Sequence, residues 1–274
     1  MLKLTKMNGN GNDFLVLDNR KTVFSTEQMS DMAKKLCRRR EAIGADGILV
    51  IEPAEHLDFK MRLFNKDGSE GEMCGNGARC LARYAYEEKI ADADMYFETL
   101  GGNQHAVVSG RMVALELALV NAKDALLGRE CYYDGEKIVY NYMVVGVPHA
   151  VVFEETVRPY EEYTAIGCYM RNRRDLFPEG ANINFAVRDS SAENSYTAVT
   201  YERGVEELTL SCGTGSTAVG IMAYLTKLGG STAEIHNPGG TNRITLSFDG
   251  NKIKPLLEGL TVRAGEILVT EEIL

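Results

Sequence analysis

Two short segments place a cysteine before two glycines at the same spacing. Residues 74–77 read CGNG, residues 212–215 read CGTG, and a helical pattern follows each. Glycine lets backbone amides approach a ligand closely, and the first four N–H groups of a helix have no partner within it. Each segment therefore predicts a cradle for an anion such as a carboxylate. The backbone amides expected to form it are those of Gly75, Asn76, Gly213 and Thr214.

The two cysteines themselves, Cys74 and Cys212, are candidates for acid/base chemistry. The positive end of a helix favours the thiolate form of a nearby cysteine, and a thiolate beside a captured carboxylate can remove the proton from the adjacent carbon. If both helix starts face one cavity, one sulfur removes that proton and the other returns a proton to the opposite face. Such a pair would invert the carbon. The remaining cysteines, at positions 37, 80, 131 and 168, are interpreted as buried core residues.

An internal repeat indicates that the two segments are related. The two cysteines are 138 residues apart, and so are the glycine pairs at 101–102 and 239–240. An Ala-Tyr pair also recurs in register, at 85–86 and 223–224, and residues 11–17 resemble residues 146–152 at an offset of 135. Several landmarks in the same order favour duplication of one structural unit over chance.

The elements that would position these cysteines are mostly strands. Runs at 48–51, 59–63, 144–145 and 151–153 read as strands, and 107–113 reads as a hairpin. A capping box at 25–28 predicts a helix through about Arg40, and the second cysteine predicts a buried helix over about 213–228. We therefore predict an α+β fold of two pseudo-symmetric halves, each a barrel-like sheet wrapped around a central helix, with the active site at the seam. The predicted halves are residues 1–120 plus 262–274, and residues 121–261.

Composition narrows the class of protein further. The chain has 274 residues with 45% hydrophobic and 25% charged residues, which is typical of a globular protein. A net charge of -9 argues against nucleic acid as a partner. There is no apolar stretch typical of a signal peptide or a membrane span, so we expect a cytoplasmic protein with reduced thiols and no membrane partner. Neither a C-x-x-C nor an H-x-x-x-H pair is present, and no metal site is predicted.

These motifs, with others along the chain, resemble those of the diaminopimelate epimerases, which are amino-acid epimerases that work without a cofactor. The resemblance runs over nearly the whole length. It includes GNDF at 11–14, IGADG at 43–47, FNKDGSE at 64–70, FPE at 177–179 and YERG at 201–204, together with the two cysteine segments.

The resemblance implies interconversion of LL- and meso-diaminopimelate, without pyridoxal phosphate or metal, by Cys74 and Cys212 as the acid/base pair. It also implies which residues bind the substrate. Arg203 would pair with the remote carboxylate, because a guanidinium grips a carboxylate in bidentate fashion. His149 follows Pro148 and is expected to line the cavity or a loop rather than act as a base. The other side chains implied to bind the substrate's amino and carboxylate groups are Asn12, Asn65, Asn182 and Glu202.

One departure from the family pattern concerns the substrate. The family usually has Gly-Asn-Pro-His where residues 146–149 of this chain read GVPH, so Val147 replaces an amide. Losing a hydrogen-bonding group from a polar pocket changes specificity, which leaves open a racemase of another amino acid such as histidine. An amino-acid binding module and a thiol redox protein are the alternatives from other classes. The sequence also leaves open whether the chain forms a homodimer.

Overall fold

The computed structural model describes residues 2–21 and 24–273 and has the expected α+β architecture. The chain divides into two compact units. The first consists of Met1–Leu115 and Gly259–Leu274, and the second of Glu116–Glu258. Our predicted boundaries lie a few residues further along the chain, at 120/121 and 261/262.

The first unit contains two helices, α1 (Thr26–Leu36) and α2 (Gly75–Glu87). The strands 48–51 and 59–63 and the hairpin at 107–113 are confirmed, and Gly110 takes a positive φ of 60° at the hairpin turn. The strands of this unit are β1 (Leu2–Gly9), β2 (Asn12–Asp18), β3 (Gly47–Glu52), β4 (Phe59–Asn65), β5 (Glu70–Gly71), β6 (Asp94–Glu98), β7 (Gln104–Ser109) and β8 (Met112–Glu116), the last of which reaches the unit boundary.

Helix α1 begins as predicted and ends early. Ser25 and Gln28 form the reciprocal capping box. The helix stops at Leu36 instead of Arg40, because the chain turns back after it: Arg40 has a positive φ of 72°, and the Gly44 N–H donates to the Leu36 carbonyl at 3.0 Å. The prediction of a helix through Arg40 was therefore wrong by one turn.

The second unit contains α3 (Tyr160–Arg171) and α4 (Gly213–Leu225). The strands predicted at 144–145 and 151–153 are confirmed within longer strands. The strands of this unit are β9 (Val120–Asn121), β10 (Leu126–Tyr133), β11 (Glu136–Val145), β12 (Val147–Glu154), β13 (Asn182–Arg188), β14 (Ser195–Tyr201), β15 (Leu208–Thr209), β16 (Thr232–Asn237), β17 (Gly240–Asp249) and the first part of β18 (Lys252–Val269), whose remainder belongs to the first unit.

Strand pairing repeats between the units and confirms the duplication. In the first, β2 and β3 are parallel, β3 and β4 antiparallel, β4 and β6 parallel, and β6 and β7 antiparallel. In the second, the same senses hold in the same order for β12 with β13, β13 with β14, β14 with β16, and β16 with β17. Helix α1 connects β2 to β3 just as α3 connects β12 to β13. Both halves are thus built on one strand order.

The helix that follows each cysteine packs inside its own sheet. Helix α2 contacts β1, β2, β3, β4 and β7, and α4 contacts β11, β12, β13, β16 and β17. The predicted burial of α4 is confirmed, since residues 215–223 are all buried. It ends at Leu225 rather than near 228, because Lys227 takes a positive φ of 62° and the Leu228 N–H bonds back to the Ala223 carbonyl.

Across residues 2–21 and 24–273, no helix combines the length and apolar character that crossing a membrane requires.

Candidate active site

Cys74 occupies the position just before the first turn of α2. Its backbone is extended, with φ -131° and ψ 121°, and the helix begins at Gly75. The cysteine side chain is partly exposed. The N–H groups of this first turn point away from the helix body, as the sequence predicts for an anion cradle. Gly75 and Asn76 supply two of these groups.

Asn76 joins this first turn to strand β2. Its side-chain amide N–H donates to Asn12 Oδ1 at 2.6 Å, and its own Oδ1 accepts from Arg79 Nη2 at 2.5 Å. Asn12 in turn donates to Asp46 Oδ2 at 3.2 Å. Two predicted binding residues, Asn12 and Asn76, are therefore in direct contact, and Asn76 follows Cys74 by two residues in the sequence.

Asn65 lies at the end of β4 in a tight turn. Its backbone N–H donates to the Ser69 carbonyl at 2.8 Å and its side-chain amide donates to Ser69 Oγ at 3.0 Å. Asn65 therefore closes this turn with both its backbone and its side chain. Its amide oxygen keeps acceptor capacity for a ligand.

Cys212 holds the corresponding place before α4, with φ -112° and ψ 115°. It is 7% exposed. Its Sγ accepts from the Gly215 N–H at 3.4 Å and lies 3.5 Å from the Thr214 hydroxyl. A hydrogen bond to sulfur favours the ionised form of a thiol. Gly213 and Thr214 supply the first amides of this helix, as Gly75 and Asn76 do in α2.

Asn184 is a buried residue of this region that the sequence reasoning missed. Its amide N–H donates to the Ala150 carbonyl at 2.9 Å and contacts His149 Nδ1 at 3.2 Å, and its oxygen accepts from the Thr200 hydroxyl at 2.9 Å. The available signal was the alternation in Asn-Ile-Asn at 182–184, which places both asparagines on one face of β13.

Of the two positions expected for His149, the structure excludes the loop, since the residue lies on strand β12 and is fully buried. Burial lowers the pKa of its imidazole to about 3, although the Asn184 amide acts in the opposite direction. The ring is therefore neutral at pH 7. Because the Asn184 amide is a donor here, Nδ1 accepts and the proton resides on Nε2. That Nε2 has no hydrogen-bond partner within residues 2–21 and 24–273.

Asn182, Glu202 and Arg203 lie together at one end of β13 and β14. Asn182 Oδ1 accepts from the Arg203 backbone N–H at 2.7 Å, and the Arg203 guanidinium donates to the Glu179 carbonyl at 3.0 Å. Burial raises the pKa of the Glu202 carboxyl, and the Thr209 hydroxyl offsets part of that rise. We call Asn182, Glu202 and Arg203 the polar cluster of the second unit, in which the Asn182 amide oxygen bonds the Arg203 backbone.

The remaining cysteines differ from the pair at the helix starts. Burial raises the pKa of the Cys37 thiol to about 11, that of Cys80 to about 12, and that of Cys131 in the same direction. These three are core thiols, as predicted. Cys168 is exposed on α3, so its interpretation as a core residue is wrong. Helix α3 is only half-buried, and Cys168 falls on its outer face.

Comparison with known proteins identifies the family. The sequence matches the family model described as diaminopimelate epimerase over residues 4–112 and 141–263. The chain belongs to the diaminopimelate epimerase family. It is 36% identical to the diaminopimelate epimerase of Hydrogenobaculum sp., with 98% of this chain and 99% of that protein covered. It is 39% identical to the diaminopimelate epimerase of Methanothrix thermoacetophila, with 100% and 98% covered.

Solved structures resemble this diaminopimelate epimerase family member in fold. A PhzF-family phenazine biosynthesis protein from Bacillus anthracis superimposes with a TM-score of 0.72 at 15% identity, over 98% of this chain and 99% of that one. A probable proline racemase from Agrobacterium radiobacter gives a TM-score of 0.70 at 15% identity, over 99% and 93%. At such identities the likeness concerns the two-unit α+β fold alone.

Proposed function

We propose that this protein is a diaminopimelate epimerase that interconverts the LL and meso isomers by proton transfer at one α-carbon. The observation that carries the proposal is the matched pair of helix starts, each with a cysteine in the position before the first turn. Membership of the family supports the choice of substrate. The setting is the cytoplasm, where the thiols remain reduced.

The proposed reaction requires one thiolate and one thiol on opposite faces of the substrate carbon. One of Cys74 and Cys212, as thiolate, takes the α-proton, and the electron pair moves into the carboxylate to give an enediolate. The other sulfur, as thiol, then delivers its proton to the opposite face of the carbon. Inversion leaves the first sulfur as thiol and the second as thiolate, so protons and charges balance. The two thiols titrate as a coupled pair.

The backbone amides at the start of each helix stabilise the negative charge that develops on the carboxylate. Such donors are fixed before the reaction and need no reorganisation, which makes them effective in a site closed to water. The amides proposed for this role are those of Gly75, Asn76, Gly213 and Thr214.

In this proposal, the polar cluster of the second unit binds the remote end of the substrate. The Arg203 guanidinium pairs with the distal carboxylate, and Glu202, Asn182, Asn12 and Asn65 bind amino and carboxylate groups. His149 contributes a neutral Nε2–H donor and not a base, because burial keeps its pKa near 3.

Incorporation of deuterium tests the proposal directly. Incubated with LL-diaminopimelate in D2O, the protein should place deuterium at the α-carbon of the meso product. Cys74→Ala and Cys212→Ala should each abolish inversion while substrate still binds. Affinity without any exchange would instead indicate a binding module, and a substrate-independent change in thiol count under mild oxidant would indicate a redox protein.

A panel of amino acids tests the substrate assignment. Exchange confined to diaminopimelate supports it, whereas exchange with either enantiomer of histidine and none with diaminopimelate would contradict it. Val147→Asn restores the amide of the family pattern. The ratio of kcat/KM between substrates in this variant reports whether position 147 reads the substrate.

A further inference from the structure

Three buried polar side chains of the second unit are joined in a row, which we call the buried polar row. They are His149 of β12, Asn184 of β13 and Thr200 of β14, and none is more than 2% exposed. Asn184 contacts both of the others, and a Cβ at Gly215 in the first turn of α4 would overlap its Oδ1. Burying polar groups is costly unless their donors and acceptors find partners. The row therefore needs a reason beyond the filling of space.

The amide of Asn184 can take only one orientation. Its nitrogen lies 2.9 Å from the Ala150 carbonyl oxygen and 3.4 Å from the Asn182 carbonyl oxygen, and carbonyl oxygens only accept. Its oxygen accepts from the Thr200 hydroxyl at 2.9 Å. The atom that faces His149 Nδ1, at 3.2 Å, is therefore the amide nitrogen, which only donates.

This orientation selects one neutral form of the His149 ring. Opposite an N–H group, Nδ1 must carry a lone pair, so the proton resides on Nε2. Burial lowers the pKa of the imidazole to about 3, and the Arg203 cation acts in the same direction. The ring thus remains neutral with Nε2–H as its one donor. Within residues 2–21 and 24–273, Nε2 has no hydrogen-bond partner.

The first unit has apolar side chains at the corresponding places. The counterparts of His149, Asn184 and Thr200, matched by strand register, are in that order Phe14, Leu49 and Leu63. All three counterparts are buried. Replacing both partners of a buried hydrogen bond by apolar groups of similar shape is nearly neutral for stability. Since the duplicated fold forms with hydrocarbon in these places, the buried polar row serves something other than the packing of the helix.

We propose that Asn184 is a positioning residue that fixes the tautomer of His149, so that the ring presents an N–H at Nε2 to the ligand and cannot accept from it. This inference rests on the proposed function, in which His149 lines the substrate site, and adds the kind of atom that His149 binds. The group that meets Nε2 is an acceptor, such as a carboxylate oxygen of the substrate. An ammonium group only donates, so it is excluded from that position.

The tautomer of His149 is measured directly by 15N NMR of the folded protein labelled in its histidine rings. A ring nitrogen that carries a proton and one that carries a lone pair resonate in separate ranges. We expect Nδ1 of His149 in the unprotonated range and Nε2 in the protonated range. His149→Gln assigns these signals among the four histidines of the chain. A wild-type ring with its proton on Nδ1 would overturn the inference.

Asn184→Asp exchanges the donor for an acceptor with little change of shape. A carboxylate accepts from Nδ1–H, so the Nδ1 signal of His149 should move into the protonated range. If this variant does not fold, Asn184→Leu provides neither donor nor acceptor, and both tautomers should then be populated. An Nδ1 signal that stays in the unprotonated range in the folded variant would contradict the role of Asn184.

Thr200→Val is the matched control for a merely structural effect. It removes the hydroxyl that bonds Asn184 Oδ1 and leaves the amide nitrogen between the Ala150 carbonyl and His149 Nδ1. The tautomer should therefore stay as in the wild type, even where stability falls. A switch as complete as that in Asn184→Asp would show that the packing of the strands sets the tautomer, which also overturns the inference.

Catalysis should follow the tautomer. With Nε2 turned from donor to acceptor, Asn184→Asp should lower kcat/KM for deuterium exchange into diaminopimelate at least about tenfold, the effect of one lost hydrogen bond to a charged acceptor. A switched tautomer with unchanged kcat/KM would remove the ligand contact assigned to Nε2–H.

Failure of the proposed function gives a different result. A ring protonated at Nε2 in a wild-type protein that never exchanges the α-proton of diaminopimelate would leave the role of Asn184 intact and remove the epimerase assignment. Normal exchange by a protein whose His149 carries its proton on Nδ1 would do the reverse.

Discussion

The replacement of Gly215 by alanine tests how tightly the first turn of α4 is fitted to the second unit. A Cβ at this position would overlap Asn184 Oδ1 and would lie 2.9 Å from Thr200 Oγ1 and 3.1 Å from Cys212 Cβ. Asn184 cannot move aside cheaply, since its amide is held by the Ala150 carbonyl and the Thr200 hydroxyl. The helix start must therefore shift.

The duplication supplies a matched control at Gly77, the corresponding residue of α2. There a Cβ would meet the Leu49 methyl at 3.0 Å and the Phe14 ring at 3.4 Å, both at the ends of side chains. We expect Gly215→Ala to lower the free energy of unfolding by about 2–3 kcal/mol, and Gly77→Ala by about 1 kcal/mol or less. A Cβ at Gly265 would meet nothing within 4 Å, so Gly265→Ala should leave the free energy of unfolding unchanged.

Gly215→Ala should lower the rate of catalysis by more than its loss of folded protein can explain. The Gly215 N–H bonds Cys212 Sγ, so a displaced first turn moves both the sulfur and the amide donors. A misplacement of about 1 Å costs on the order of a hundredfold in rate. Urea unfolding and the rate of deuterium exchange into diaminopimelate measure the two effects on the same samples.

A double variant separates this steric cause from others. Asn184→Ala removes the atom that the new methyl group would overlap, so the combined variant should lose less stability than the two single variants together. Additive losses, or a Gly215→Ala protein as stable and active as Gly77→Ala, would refute the close packing described for this turn.

Three further predictions concern titration and binding. The depressed pKa of His149 means that unfolding takes up a proton below about pH 6.5, so stability should fall as pH drops towards 3, by up to about 1.4 kcal/mol per pH unit, and urea titrations of His149→Gln should lack this part of the slope. Burial raises the pKa of the Glu202 carboxyl in the folded protein, so stability is lost as pH rises through this raised pKa. Compared with the wild type, Glu202→Gln should therefore be more stable at pH 8 than it is at pH 4, and an equal difference at both pH values would contradict the assignment. Arg203→Lys keeps the positive charge but loses the planar guanidinium that bonds the Glu179 carbonyl, so the KM for diaminopimelate should rise at least about tenfold. An unchanged KM would exclude Arg203 from substrate binding.

The sequence by itself determined the repeat, the fold class and the positions of the two cysteines at the helix starts. Glycine spacing, the offset of 138 and the capping box are local properties, because they depend on backbone freedom and on unpaired N–H groups within a few residues. The structure places Cys74 and Cys212 at the predicted positions before α2 and α4. Helix ends were predicted less well, since positive φ angles at Arg40 and Lys227 depend on what the following loop contacts.

Only the tertiary structure decided which polar residues meet inside each unit. Arg79 reads in the sequence as an ordinary helix residue, yet it is fully buried between a glycine 180 positions away and the first turn of its own helix. Asn184 bonds Thr200 across two strands and limits Gly215 to a residue without a side chain. Such relations depend on packing between distant segments, and packing is the property that local patterns in a sequence do not encode.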